Sequence, residues 1–117
     1  MPNQYVQGVE LHANEPNAAK AFYQALFGWR FEDIPEMGYS KFADPGASGG
    51  IMRNPVVNLP SRWAPYFLVG DVAAAVETAS NLGATVVIPT TEIAGHGWFA
   101  VMTDPDGATF GLWKSAP

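Results

Sequence analysis

The chain has 117 residues, 48% hydrophobic and 15% charged. That is the composition of one compact domain, or of two very small modules sharing a core, and it excludes a disordered chain. With no cysteine, disulfides, thiolate nucleophiles and Cys-ligated metals are also excluded. At a formal net charge of −5, the six bases Lys20, Arg30, Lys41, Arg53, Arg62 and Lys114 are scattered, whereas nucleic-acid binding needs a basic stripe.

In chain order, Tyr5 to Ala13 is strand-like, and Met1-Pro2-Asn3-Gln4 before it carries neither the basic region nor the apolar stretch of a leader. Asn14-Glu15-Pro16 supplies a capping residue and a proline suited to a first helical turn. Residues 17–27 follow as helix, with Ala19, Phe22 and Leu26 on one face and Gly28 as its stop. Trp29-Arg30-Phe31 restarts in extended form, and Tyr39–Ala43 is a further extended stretch. Asp44-Pro45-Gly46 is a turn before a strand ending at Arg53, and Pro55 to Pro60 is the expected connector. Tyr66 to Val69 is strand-like, Asp71 is an N-cap, and Val72, Val76, Ala79 and Leu82 form a helical stripe stopped by Gly83. Thr85-Val86-Val87-Ile88 is a β-branched strand ended by Pro89, followed by an extended stretch from Trp98 to Thr103 and a turn at Asp104-Pro105-Asp106-Gly107. No apolar run approaches the roughly 20 residues of a membrane span. A cytoplasmic protein that handles a small molecule or a protein partner is the expectation.

These elements repeat. The first halves of the two units are offset by about 56 positions, the later parts match at their Asp-Pro turns, and each unit reads strand, helix, then three strands. The expected fold is therefore α+β, a single domain of two βαβββ modules (about 1–58 and 59–117). One module of this size cannot bury both faces of its sheet. The helix covers one face, and a cupped mixed sheet with a partly open cavity is expected on the other.

Ala21-Phe22-Tyr23-Gln24-Ala25-Leu26-Phe27-Gly28-Trp29 resembles the signature helix end of the vicinal oxygen chelate superfamily, which includes glyoxalase I, extradiol dioxygenases and bleomycin-resistance proteins. Asp104-Pro105-Asp106-Gly107-Ala108-Thr109-Phe110-Gly111-Leu112-Trp113 resembles its closing strand. The resemblance covers residues 5 to 114 and implies the vicinal oxygen chelate fold. It also implies a homodimer, and four metal-ligand positions that fall here on Gly8, Gly50, Ala64 and Gly111. None of the four has a donor atom, so no metal site of the family type is expected and no cofactor is assigned. The small residues are expected to leave room for an organic ligand instead.

Strand alternation sorts the candidates. Val9 and Leu11 face the helix; Gly8, Glu10 and His12 face the cup, with Tyr66 and Leu68, Gly50 and Met52, and Thr109, Gly111 and Trp113. Glu10 is the sharpest catalytic candidate. A carboxylate among Trp113, Met52 and Tyr66 is expected to be partly desolvated, which suits a general base; the alternative is a structural hydrogen bond to Tyr66 or a basic side chain. His12 is either its acid/base partner or a strand-end residue in solvent. A metal site of Glu10, His12 and His96 would be misplaced, because His12 lies about 13 Å along the strand from Gly8. Met52, Tyr66, Trp98 and Trp113 are the candidate ligand-binding residues. Trp98 follows Gly95-His96-Gly97, a loop that either lids the cup or is ordinary surface.

Two motif matches fail on context. Gly46-Ala47-Ser48-Gly49-Gly50 fits G-x-S-x-G literally, but an Asp-Pro turn stands where a nucleophile elbow needs a strand. The Asp104 turn opens like a calcium loop, but its twelfth position is Ser115 rather than Glu. The leading expectation is a metal-independent protein that binds a small aromatic or amphipathic molecule in a bleomycin-resistance-like manner, with −5 favouring a neutral or cationic ligand. The alternatives are a metal-free isomerase or lyase using Glu10, a divalent-metal glyoxalase- or dioxygenase-like enzyme, and an interaction module without a ligand.

Overall fold

The computed structural model describes residues 6–44, 46–56 and 58–117. Tyr5, the expected start of the first strand, lies outside them, as do Pro45 of the first Asp-Pro turn and Val57 of the connector. The chain forms two compact units, one of Gly8–Ala64 and one built mainly of Pro65–Pro117. Each has the order strand, helix, three strands.

In the Gly8–Ala64 unit the elements are β1 (Val6–Ala13, starting two residues before the unit), α1 (Pro16–Phe27), β2 (Phe31–Ile34), β3 (Tyr39–Phe42) and β4 (Gly49–Arg53). The strands lie in the order β2-β3-β4-β1, with β1 and β4 parallel and the other neighbours antiparallel. A single 3-10 turn, Pro35–Met37, joins β2 to β3, a feature the sequence pattern does not announce. Leu11, Ala13 and Ile51 form the core on the α1 side, with Ala19, Tyr23 and Phe31 packed against them. The helical face therefore differs from the expected stripe. Ala19 and Tyr23 turn to the sheet, while Phe22 and Leu26 are 58% and 55% exposed. The cap differs as well. Glu15 is the N-cap and makes no side-chain capping bond, while Asn14 is drawn away to the connector. Asn14 takes a bond from its own backbone N–H to Ser61 Oγ (2.9 Å) and donates through Nδ2 to Leu59 O (3.1 Å). Buried Asn54 donates to the Leu59 and Pro60 carbonyls, fixing the same segment. Gly28 ends α1 as expected: its φ of 71° is left-handed, and its N–H bonds to Gln24 O at 2.9 Å.

The second unit contains β5 (Arg62–Leu68, entering the unit at Pro65), α2 (Val72–Asn81), β6 (Thr85–Ile93), β7 (Gly97–Thr103) and β8 (Thr109–Ser115). Its order is β5-β8-β7-β6, with β5 and β8 parallel and the rest antiparallel. Asp71 caps α2 as expected, its Oδ1 accepting from Ala74 N–H at 3.0 Å. Val72, Val76 and Ala79 join Val69, Ala100, Met102 and Leu112 in the core, but Leu82 is 75% exposed because the helix ends before it. Pro89 does not end β6. The strand continues to Ile93 through register shifts between Val86 and Thr91. As the outer strand of its unit, β6 tolerates a residue with no N–H. Among the described residues, no helix is long and apolar enough to cross a membrane.

Candidate functional site

On the face of the Gly8–Ala64 sheet away from α1, register sets two adjacent rows. Tyr39, Met52 and His12 form one; Lys41, Gly50 and Glu10 form the other. Glu10 is 7% exposed and His12 1%. His12 Nε2 lies 2.9 Å from Glu10 Oε1. A carboxylate only accepts, so the imidazole donates through Nε2. The structure thus brings the two catalytic candidates together, and the solvent reading of His12 is overturned by its burial.

Tyr39 is the residue that sequence reasoning missed. Its phenol also hydrogen-bonds to Glu10, and its pKa is raised above the ordinary tyrosine range, first by burial, then by the Glu10 charge and that hydrogen bond. The ring reaches Glu10 diagonally because Gly50 lies between them with no side chain: a Cβ there would meet the Tyr39 ring at 2.9 Å and the Lys41 Cα at 3.0 Å. The available signal was the sequence spacing of β3 against β4. A tyrosine at the start of a strand opposite a glycine strand has a path across it.

In the second unit, Tyr66 is buried and its ring lies on Gly111, in contact with the position a Cβ would take. Trp113 pairs with Phe99 across β7 and β8 and donates from Nε1 to Ser115 Oγ at 3.0 Å. Trp98 does not join this face. It packs against the α2-side core of Ala100, Met102 and Leu112, with Lys114 Nζ 5.8 Å from its ring centroid. β7 alternation places it there, so of the two readings of the Gly95-His96-Gly97 loop the one in which Trp98 closes over the cup is corrected. His96 is exposed.

The room expected over the small residues is also corrected at both glycines of the closing strands. Tyr39 fills it over Gly50 and Tyr66 over Gly111, and the Ser48 backbone and Cβ crowd Gly8. The residues at the family's coordination positions therefore do not fit a divalent metal: they carry no donor, and aromatic rings cover two of them. Among the described residues, no three His, Cys, Asp or Glu side chains converge as a metal site. The G-x-S-x-G segment is a turn into β4, with Gly46 N–H on Asp44 Oδ1 at 2.8 Å. The Asp104 carboxylate likewise serves its own turn, accepting from Asp106 and Ala108 N–H.

Known proteins resemble the chain along nearly its whole length. A Mycobacterium tuberculosis protein named as a candidate glyoxylase, CFP32, is 35% identical over 97% of this chain and 48% of its own length. The anthracycline biosynthesis protein DauV of a Streptomyces species is 25% identical over 90% of this chain and 45% of its own. The chain thus spans about half the length of these curated relatives. Among solved structures, methylmalonyl-CoA epimerase from Mycobacterium tuberculosis superposes with a TM-score of 0.60 at 16% identity, covering 100% of this chain and 93% of that one, a likeness of fold. The pattern of the glyoxalase-like domain matches residues 8–113, and the chain belongs to that family, with the α+β vicinal oxygen chelate fold.

Proposed function

We propose that this glyoxalase-like protein binds a small aromatic or amphipathic organic molecule without a metal centre of the family type. The glycines and alanine at the coordination positions, two of them under tyrosine rings, support the lack of a metal centre; the observation that carries ligand binding is the buried Glu10–His12 pair on the sheet face away from α1. Within the Gly8–Ala64 unit, Glu10 and His12 are the polar anchors, with Met52 beside them in register. Within the second unit, Trp113 supplies a ring suited to stacking, and buried Tyr66 lies over Gly111, two residues from it on the same strand face. The protein is taken to act as a homodimer in the cytoplasm.

Ligand-observed NMR with a panel of aromatic and amphipathic compounds, run in EDTA, tests this. Binding that persists in EDTA and weakens in Glu10→Gln is the expected result. Compounds that bind only after a divalent metal is added would overturn it.

The buried Glu10–His12 contact favours a second reading, a metal-free isomerase or lyase in which Glu10 takes a proton from carbon next to a carbonyl. In that case Glu10→Gln abolishes turnover and leaves binding largely intact. A variant that binds and turns over normally eliminates it.

A further inference from the structure

The internal repeat provides its own control for the helix-covered faces. In the second unit, Val72, Val76 and Ala79 of α2 fill the helix–sheet gap against Ala100, Met102 and Leu112. In the Gly8–Ala64 unit the corresponding helix, α1, has no buried residue. Beside α1 the structure leaves a groove of about 470 Å³. That volume lies within the range of small-molecule sites, about 300–1,000 Å³.

Its construction is specific. Ala13, Ala18 and Ala19 line it with small side chains, while Phe22, Tyr23 and Trp63 supply aromatic surface. Trp63 is held rather than loose: its Nε1 donates to Tyr23 Oη at 3.3 Å, and the two rings meet edge to face at 5.5 Å. Tyr23 in turn stacks on Trp29 at 5.1 Å. A rigid aromatic wall costs little entropy when a ligand stacks on it.

The polar groups at the groove are Asn14, Glu15, Ser61 and Arg62. Asn14 and Ser61 bond to each other and pin the connector. Arg62 donates to the Pro60 carbonyl. Glu15 is the N-cap of α1, yet its carboxylate makes no capping bond, so it stands as an acceptor at the groove. Glu15 and Arg62 balance in charge, which selects against a charged ligand.

From these features we infer a second ligand site between α1 and β1, taking a flat, uncharged aromatic molecule that carries a hydroxyl or amino donor. The ring lies against Trp63 and Phe22, and the donor bonds to Glu15. The inference is independent of the proposed sheet-face site, and the two are separated by where the protein responds.

The test is a 1H–15N NMR titration of the full chain with 2-naphthol at neutral pH, with 2-methoxynaphthalene as the analogue lacking the donor. Saturable shifts are expected at residues 13–23 and 61–63. Glu15→Ala should weaken binding by roughly tenfold, as should the loss of the donor in the methoxy analogue. Phe22→Ala, at an exposed position, should weaken 2-naphthol while leaving the α2 resonances unmoved. Shifts confined to Glu10, His12, Tyr66 or Trp113 would overturn the inference while supporting the sheet-face reading. Equal affinity for the methoxy analogue, or no saturable shift up to millimolar probe, would also overturn it. So would groove resonances that move with protein concentration alone, since a second copy would then be the occupant.

Discussion

Glu10, His12 and Tyr39 make a compact acid–base group of three different chemistries. Their proximity depends on a residue that has no side chain, Gly50. Adding a methyl there forces Tyr39 and the neighbouring β3 backbone to move together, because the new Cβ would also press on the Ser40 carbonyl. At Gly111 the three nearest atoms all belong to the Tyr66 ring. Gly50→Ala should therefore destabilise the protein more than Gly111→Ala, with costs of about 1–3 kcal/mol for overpacking. Urea unfolding of the two variants measures the order. Tyr39 also sets an alkaline limit. Its pKa is raised in the folded state, so the phenol stays neutral there while an unfolded tyrosine ionises near 10.0. That contribution is fully present below pH 10.0 and is lost as pH rises above it. Tyr39→Phe should flatten the loss of stability above that pH relative to the parent, as read by denaturation at a series of pH values.

At the scale of elements, the two helices differ in how much their ends revealed. Asp71 was legible because a short carboxylate before an apolar stripe has one inexpensive use, accepting from the first turn. Asp71→Ala should cost about 1 kcal/mol, seen as a lower urea midpoint with an unchanged slope. Asn14 was misleading for a physical reason: its amide and backbone find partners at Leu59 and Ser61, far along the sequence, and no local rule anticipates those. The α1 stripe went wrong similarly. Phe22 and Leu26 satisfy helical spacing, yet Ala19 and Tyr23 satisfy it equally well, and the aromatic partners Trp29 and Trp63 decide which pair turns inward. Strand alternation was more dependable. The period of two put Glu10 and His12 opposite Leu11 and Ala13, and it would have put Trp98 with Ala100 and Met102 had the flanking glycines not suggested a loop. Burial of His12 was not legible, since its neighbour in the adjacent strand, Met52, is distant in sequence.

For the whole molecule, duplication was the strongest signal, and it fixed the order of elements in each unit before any contact was known. What the repeat does not transmit is divergence between the copies. One unit carries Glu10, His12 and Tyr39 and a groove beside its helix, the other a core of aliphatic residues with Phe67, Trp98 and Phe110 packed against it. Leu26 and Phe27 of α1 remain more than half exposed, apolar surface that the proposed homodimer would have available. Sedimentation at micromolar concentration should give twice the mass of one chain; a value near one chain contradicts the dimer. The outer position of β6 carries a different consequence. An uninterrupted boundary strand is a template on which foreign chains can grow by main-chain pairing. Pro89 withholds a donor midway along that boundary, and the pairing register shifts on either side of Ile88. A regular strand here would invite neighbouring chains to add on; this one offers them an interrupted template.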